Sequence, residues 1–318
     1  MSRSPVSSRF ARVTRRSVLA LAFRTAAAAE KTAQAPDSLV FCAYNVKNWL
    51  LMDRFEGGAV VQKASKPEPE KAAVIGILKT IAPDVLGLSE IGGESDLKEI
   101  QSRLKKAGID LPQWELTHGG DLNRSLGLLS RFPISSRQSI TDLTYTINGQ
   151  VFPVQRGFLD VTVQPRPGFS LRCIGVHLKS MREVPEADQE VMRRNEAGLL
   201  RKHLSAILDA DPATPILLYG DFNEHRHEPP IKAIQGSRTG LNFMEDLRIV
   251  DVNGQTWTHY WEAADSYSRL DYFFLSRALK PLVDKQRSYI FHSDDFDKAS
   301  DHRPIVVSLN LPVTMTGN

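Results

Sequence analysis

The sequence predicts a layered α/β fold in which two β-sheets pack face to face and helices cover their outer faces. Short apolar runs of four to eight residues recur between turn signals along most of the 318-residue chain. Three longer segments with apolar residues at helical spacing lie among these runs. Because strand patterns outnumber helix patterns and the two kinds are interspersed, paired sheets with outer helices are favoured. The hydrophobic content of 42% is sufficient for a large core.

The predicted elements follow one another from residue 39 to residue 311. The predicted strands are 39–44, 85–88, 126–129, 158–163, 171–178, 216–219, 270–275 and 304–311. The predicted helices are 70–81, 96–107 and 188–208. Two segments have no regular pattern: 54–69, rich in Gly, Pro and charge, is interpreted as a mobile loop, and 286–300 as an acidic approach to the last strand.

The first 30 residues differ in composition from the rest of the chain. Residues 1–29 contain six arginines and no acidic residue, and the twin arginines Arg15 and Arg16 precede a short apolar run. This segment resembles a bacterial twin-arginine export signal, which predicts a periplasmic or secreted protein. Since Arg24 interrupts the apolar run, an organellar transit peptide or a disordered basic segment of a cytoplasmic protein remain alternatives. We assign 1–30 to this leader, 31–37 to a linker and 38–313 to the folded domain.

Charge and cysteine content restrict the class of partner. The formal net charge is +3, but removing the six leader arginines from 40 basic residues leaves 34 against 37 acidic ones. Bulk charge therefore does not indicate a nucleic-acid partner, although a local basic patch is compatible with it. No apolar run approaches the ~18 residues of a membrane span, so no stable membrane insertion is expected. Cys42 and Cys173 lie in apolar strand-like runs and are expected as buried free thiols, with a disulfide as the alternative in an exported protein.

Polar side chains stand where many of the predicted strands end. They are Asn45, Glu90, His177, Asp221, Asn223, Asp271, Asp301 and His302. Taken alone, the segment 220–223 (GDFN) is equally typical of a turn, and a histidine in a strand is more often a packing residue. The same placement at the end of one apolar run after another favours a single functional site.

Five segments in a fixed order resemble the endonuclease/exonuclease/phosphatase superfamily of metal-dependent phosphoesterases. They are YNVKN, LSE, GDFN, RLDYFFLS and SDHRPI, and the similarity extends from about residue 38 to 312. The resemblance implies a four-layered α/β sandwich, with two packed mixed β-sheets flanked by helices and the site at one end. It also implies Mg²⁺ or Mn²⁺ bound mainly by Glu90, with Asn45 beside it and Asp301 helping to position metal or phosphate. Hard cations of this kind prefer oxygen ligands.

The same resemblance implies a role for each remaining polar residue. Asp221 would orient or deprotonate the attacking water, and Asn223 would donate a hydrogen bond to a phosphate oxygen. His302, held by Asp271, would remain protonated and donate to a non-bridging oxygen. His177 would donate to the phosphate or to the leaving group. Pairing of Asp271 with Arg269 is the structural alternative.

Several basic residues are candidates for phosphate contacts. Arg124, Arg156 and Arg193 are predicted as substrate-binding residues, because the planar guanidinium group matches phosphate oxygens. A solvated surface cation is the alternative for each. For Lys179 and Arg182 this alternative is favoured.

The sequence therefore predicts metal-dependent hydrolysis of a phosphoester, most simply by a phosphodiesterase or nuclease that uses in-line attack of water. The expected partner is the phosphoester substrate, with nucleic acid among the candidates, and no protein partner is predicted. A phosphomonoesterase or a sphingomyelinase-like lipid phosphodiesterase is the enzymatic alternative, the latter because of the aromatic run 256–269. A binding protein that has lost its chemistry is the non-enzymatic alternative, and the completeness of the site argues against it.

Overall fold

The computed structural model describes residues 36–312, so the predicted leader at 1–30 lies outside the described part of the chain. The α-helices are α1 (Glu68–Ile81), α2 (Glu94–Lys106), α3 (Gln189–Ala210) and α4 (Pro229–Gln235). The strands are β1 (Ser38–Trp49), β2 (Met52–Glu56), β3 (Ala59–Ala64), β4 (Val85–Ile91), β5 (Gln113–Thr117), β6 (Ser125–Ser130), β7 (Ile134–Arg137), β8 (Thr144–Ile147), β9 (Gln150–Pro153), β10 (Leu159–Arg166), β11 (Phe169–His177), β12 (Ile216–Asp221), β13 (Glu245–Asp246), β14 (His259–Trp261), β15 (Ser266–Ser268), β16 (Asp271–Leu275), β17 (Val283–Ile290) and β18 (Ile305–Asn310).

The strands form two six-stranded mixed sheets and three two-stranded hairpins. The first sheet has the order β17-β18-β1-β4-β6-β5 and the second the order β13-β16-β12-β11-β10-β7. Each sheet contains one parallel pair, β1 with β4 and β11 with β12. Parallel neighbours need a crossover connection, and α1 and α3 lie in these two connections. The carboxyl ends of each parallel pair therefore lie at one edge of their sheet.

Alternating side chains of the central strands build three apolar layers. In β1, Phe41 points into the space between the sheets, whereas Cys42 packs in the cluster that contains Leu78 of α1. In β12, Leu217 lies between the sheets and Leu218 packs in the cluster formed with α3 and α4. Because both faces of these strands are buried, they appear in the sequence as continuous apolar runs. The result is the predicted sandwich of helices, sheet, sheet and helices.

Two segments without a sequence pattern form regular structure, which corrects the prediction of loops there. Residues 54–69 contribute to the hairpin β2–β3 and to the start of α1, and 286–300 continues β17 and adds a 3-10 turn at Phe296–Lys298. The side chains of β3 are almost all exposed, so the hairpin has no buried face to produce alternation. Helix α4 was not predicted either, because its seven residues are too few for a recognisable apolar periodicity.

The two cysteines do not form a disulfide bond with each other. Cys42 and Cys173 are buried and free, and they lie in different apolar layers. The default prediction of free thiols is therefore confirmed. Within residues 36–312, no helix is long and apolar enough to cross a membrane.

Close packing between the sheets depends on a glycine in β4. A Cβ atom at Gly87 would overlap the buried ring of Tyr219, which comes from the opposite sheet. We expect Gly87→Ala to lower the free energy of unfolding by about 2 kcal/mol, because a well-packed core resists an added methyl group. Urea denaturation measures this change.

Gly76→Ala is the matched control for this prediction. A Cβ at Gly76, within α1, meets nothing within 4 Å, so the same substitution there should leave stability unchanged or raise it by up to about 1 kcal/mol. Equal unfolding free energies for the two variants would show that the ring of Tyr219 moves aside at little cost.

Candidate active site

Five strand ends bring polar side chains to one end of the sandwich. Asn45 and Glu90 stand near the ends of the parallel strands β1 and β4 in the first sheet. In the second sheet, His177 at the end of β11 is paired in register with Asp221 at the end of β12. Asp221 is also in register with Asp271, where β16 begins. The topology alone thus places each group at the edge of its sheet.

Direct contacts join the two sheet edges. The side-chain amide of Asn45 lies 3.3 Å from Glu90 Oε1 and 3.1 Å from Asp221 Oδ2, and it donates to both. His177 Nε2 lies 3.5 Å from Asp221 Oδ2 and 4.0 Å from Glu90 Oε1. Groups predicted at the ends of different strands therefore share one cluster, and Asn45 connects its two halves.

His302 is held between two carboxylates. Its Nδ1 lies 2.8 Å from Asp271 Oδ2, and its Nε2 lies 3.6 Å from Asp221 Oδ2. Burial disfavours the charged ring, but the charges of Asp271 and Asp221 outweigh it and raise the pKa of His302 to about 10. His302 is therefore an imidazolium at neutral pH. The alternative partner of Asp271 is excluded, since Arg269 instead pairs with Asp246 at 2.6 Å.

Asp221 is the most buried carboxylate of the cluster, with 2% of its surface exposed. Burial raises its pKa to about 7, although the positive charge of His302 acts in the opposite direction. Gly220 precedes it with φ = 135°, a backbone conformation that favours glycine, and Asn223 follows with φ = 48°. The backbone N–H of Asn223 donates to Asp221 Oδ1 at 2.9 Å, and its side-chain amide donates to Leu178 O at 3.0 Å. The glycine-containing turn predicted from GDFN thus fixes the orientation of the acid.

His177 differs from His302 in charge. Burial, followed by the positive charges of Arg156, His302 and Arg124, lowers the pKa of His177 well below its ordinary value of 6.5. The ring is therefore neutral at pH 7 and carries a single N–H. Its Nε2 faces the two carboxylates, whereas Nδ1 has no hydrogen-bond partner within residues 36–312.

The backbone at Glu90 is strained. This residue has φ = 61°, and the register of β4 shifts between Ser89 and Ile91. The backbone N–H of Asn48 donates to Glu90 Oε2 at 3.0 Å, so both carboxylate oxygens are oriented. Asp301 Oδ1 accepts a 3.3 Å hydrogen bond from Ser300, whose hydroxyl also reaches the backbone oxygen of Asn45.

This donor set suits a hard cation that keeps part of its water shell. No group of three or more His, Cys, Asp or Glu side chains within 36–312 is arranged to enclose a metal ion. Mg²⁺ is commonly held by one or two carboxylates and several waters, so the partly exposed Glu90 with oxygen donors nearby is compatible with it.

Two of the three predicted substrate-binding arginines flank the cluster. Arg124 Nη1 and Arg156 Nη2 lie 3.5 Å and 3.4 Å from the same carboxylate oxygen of Asp121. Arg124 Nε also donates to Asn48 Oδ1 at 2.9 Å, and Arg156 Nε has no partner among the described residues. Both guanidinium groups lower the pKa of His177, which places their charge beside the site.

Arg193 was predicted to bind phosphate, but in the structure its side chain contacts only protein groups. The prediction is therefore corrected. The side chain is 3% exposed, and its Nε pairs with Glu224 at 2.9 Å. Its Nη1 donates to the backbone oxygens of Lys179, Ser180 and Gln189. Arg193 therefore fixes the loops that follow β11 and β12. Lys179, expected at the surface, is also buried and donates to nearby backbone oxygens.

Two neighbours of the site were not identified from the sequence. The ring of His259 in β14 lies 4.6 Å from that of His302, and burial lowers its pKa to about 4. Asn48 connects Arg124 to Glu90. Asn48 is part of the YNVKN segment and was therefore detectable, whereas the position of His259 depends on the β14–β15 hairpin.

Fold and site together define an α/β-sandwich protein with a carboxylate and histidine cluster at one end of its paired sheets. The chain belongs to the endonuclease/exonuclease/phosphatase family, whose profile matches residues 57–302. Phosphodiesterases and nucleases belong to this family, and its enzymes generally use divalent metal ions. Asn45 precedes the matched region but makes contact with Glu90 and Asp221, which lie within it.

Solved structures with the same fold include a family member from Bacteroides vulgatus, with a TM-score of 0.61 and 14% identity over 86% of this chain and 99% of that one. Truncated TDP2 from Caenorhabditis elegans has a TM-score of 0.57 and 16% identity over 86% and 98%. The human Nocturnin catalytic domain with bound sulfate has a TM-score of 0.57 and 16% identity over 86% and 94%. At these identities the likeness concerns the fold. No curated protein matches the sequence closely enough to count as a relative.

Proposed function

We propose that the protein is a metal-dependent phosphodiesterase that hydrolyses its substrate by in-line attack of water. The observation that carries the proposal is the continuous set of contacts from Asp271 through His302, Asp221 and Asn45 to Glu90. It combines a buried acid with a raised pKa, a protonated histidine and a carboxylate suited to a hard cation. These are the groups that phosphoester hydrolysis requires.

Each side chain has a task that follows from its contacts. Asp221, with its pKa near 7, accepts the proton of the attacking water. The imidazolium of His302 donates from Nε2 to a non-bridging oxygen, because its Nδ1 is engaged by Asp271. Asn223 orients Asp221 through its backbone and offers its second amide hydrogen to the phosphate. The neutral His177 donates its one proton to the phosphate or to the leaving oxygen.

Glu90, with Asn45 beside it and Asp301 nearby, would hold the Mg²⁺ or Mn²⁺. When bound, the cation neutralises charge that develops on the phosphoryl oxygens. Arg124 and Arg156 add two further positive charges on the His177 side, where their forked N–H groups match phosphate geometry. A nucleic-acid backbone is one substrate that this arrangement accommodates.

A lipid phosphodiesterase is the second candidate, and one observation favours it. The β14–β15 hairpin carries His259 beside His302 and exposes Trp261 and Tyr267, whose surfaces are 58% and 55% accessible. Exposed aromatic rings next to a catalytic cluster suit a substrate with an apolar part. Hydrolysis of sphingomyelin vesicles, compared with single-stranded DNA and bis-p-nitrophenyl phosphate, separates the two candidates.

Activity of the full chain against this phosphoester panel tests the proposal. We expect hydrolysis with added Mg²⁺ or Mn²⁺ and its loss in EDTA, since the cation supplies charge that no side chain replaces. Hydrolysis that persists unchanged in EDTA would contradict metal dependence. Inactivity toward every phosphoester, with intact fold and Mn²⁺ binding, would favour the inactive binding protein.

Glu90→Gln should weaken the apparent affinity for Mn²⁺ about 100-fold, because the amide keeps the shape of the side chain but removes its charge. Isothermal titration with Mn²⁺ measures this without reference to activity. Glu115→Gln is the matched control, since Glu115 in β5 pairs with Arg137 at 2.9 Å and belongs to no part of the site. Equal Mn²⁺ affinity in the two variants would exclude Glu90 as the principal ligand.

A further inference from the structure

A second concave site lies along the edge strand of the second sheet. It has a volume of about 790 Å³ and is formed by β13, the end of β16 and the segment that leads into β17. Asp271 begins β16 in the catalytic cluster, whereas Leu275 at the far end of this strand lines the cavity. They are four steps apart along the strand, a distance of roughly 13 Å. The cavity is therefore distinct from the catalytic centre.

The lining of this cavity is strongly basic. Its cations are Arg226, Arg238, Arg248, Arg277, Lys280 and Lys285. Its two carboxylates are already neutralised: Glu245 pairs with Lys280 at 2.6 Å, and Asp246 pairs with Arg226 at 2.8 Å. Asp246 also binds Arg269 and has a side chain only 4% exposed, so this part of the wall is fixed. Neither acid is therefore left to neutralise the other positive side chains of the lining.

Four of the lining cations have no ion pair with any residue in 36–312. They are Arg238, Arg248, Arg277 and Lys285. They come from separate segments of the chain, and the fold brings them to one concave space. Like charges in a cleft raise the local potential more than the same charges on a convex surface, where water solvates each one separately. A multiply charged anion relieves this repulsion.

We propose that this cavity binds an anion that carries two or three linked phosphate groups. The volume is in the range of small-molecule sites, and the guanidinium groups match the geometry of phosphate oxygens. Phe243 is the one aromatic residue of the lining, so recognition rests on charge and not on ring stacking. Free oligophosphate and a nucleic-acid backbone share this chemistry. The inference does not rest on the proposed catalytic function.

Isothermal titration of the full chain with tripolyphosphate in EDTA tests the site without catalysis. The variant Arg248→Gln/Arg277→Gln should bind at least about tenfold more weakly, because it loses two charge-assisted contacts. Lys79→Gln/Lys202→Gln is the charge-matched control, since both lysines are exposed on helices away from the cavity. This control should bind within about twofold of wild type. Weakening in Arg248→Gln/Arg277→Gln assigns the binding to the cavity, because neither arginine belongs to the catalytic cluster.

Each other result overturns the proposal. No tripolyphosphate binding by wild type, unchanged binding in Arg248→Gln/Arg277→Gln, or equal weakening in both double variants would show that the cavity is not a phosphate site. Thermal melting checks that both double variants are folded, and Arg248→Lys/Arg277→Lys, which keeps the charge, should retain most of the binding. Displacement of tripolyphosphate by oligothymidylate assigns a nucleic-acid backbone as the source, and its failure assigns free oligophosphate.

Discussion

Asp221→Asn should lower kcat for phosphodiester hydrolysis about 10³-fold, in the range for loss of a general base. The amide has the size of the carboxylate and can still accept the 2.9 Å hydrogen bond from the backbone of Asn223. It cannot take a proton from the attacking water. Steady-state kinetics on bis-p-nitrophenyl phosphate, or on the best substrate of the panel, measure the loss.

The pH profile distinguishes a base from a merely structural acid. Wild-type kcat should fall as the pH drops below about 7, because protonated Asp221 cannot act as a base, and this limb should be absent in the variant. A cation at Glu90 moves the limb to lower pH, since nearby positive charge favours the carboxylate. A variant that keeps more than a tenth of wild-type kcat, or keeps the acidic limb, would contradict the assignment.

Stability gives an independent check on the same variant. The raised pKa of Asp221 means that the folded protein holds this proton more tightly than the unfolded chain does. The ionised acid therefore destabilises the fold increasingly from pH 3.8 to about 7, and fully above that range. The neutral amide removes this cost, but its NH2 group faces the Asn45 amide that donates to Asp221 Oδ2 in wild type. The change in melting temperature relative to wild type should therefore be more favourable at pH 8 than at pH 5. Asp160→Asn is the control: this buried acid pairs with Arg172 and His203, and its loss should reduce stability but change kcat less than about threefold.

The central strands were predictable because their burial leaves a run of apolar residues in the sequence. Strands such as β12, with every residue buried, appear as continuous apolar runs, and the long helix α3 has a regular apolar face. The small hairpins were not predictable in the same way. Strand β3 is nearly all exposed and no described side chain of β2 is buried, while β14–β15 has three residues in each strand, so neither hairpin produces a clear periodic signal.

The grouping of candidate site residues at the ends of buried strands was predictable, because the strand fixes where each side chain must lie. Asp221 and His177 are examples, since their strands are adjacent and parallel. The partner of a charged side chain was harder to infer from sequence. Arg193 and Glu224 form a buried pair 31 residues apart, and only the packing of α3 against the loop after β12 brings them together. A guanidinium group that fits phosphate equally fits a carboxylate, so residue type alone cannot separate the two roles.

Asp271→Asn should lower kcat about 10²-fold, through the loss of charge on His302. Burial alone favours the neutral ring, and the Asp271 carboxylate at 2.8 Å is the largest of the three charges that raise the pKa of His302 to about 10. The isosteric amide keeps the contact but not the charge, so the imidazolium should lose its proton at lower pH. In wild type, kcat should decline as the pH rises through about 10, and in the variant this alkaline limb should move toward neutrality. The Mn²⁺ affinity measured through Glu90 should change little.

A double-mutant cycle with His302→Ala decides whether the two residues act as a unit. His302→Ala should be at least as severe as Asp271→Asn, and the double variant should be no worse than the worse single one, since Asp271 has no task once the ring is gone. Arg269→Gln is the matched control, because Arg269 pairs with Asp246 and should leave kcat within about threefold of wild type. Additive losses in the cycle, together with a large loss in Arg269→Gln, would show that Asp271 acts through the fold and not through His302. Additivity with an unmoved alkaline limb would exclude His302 as the group that titrates there.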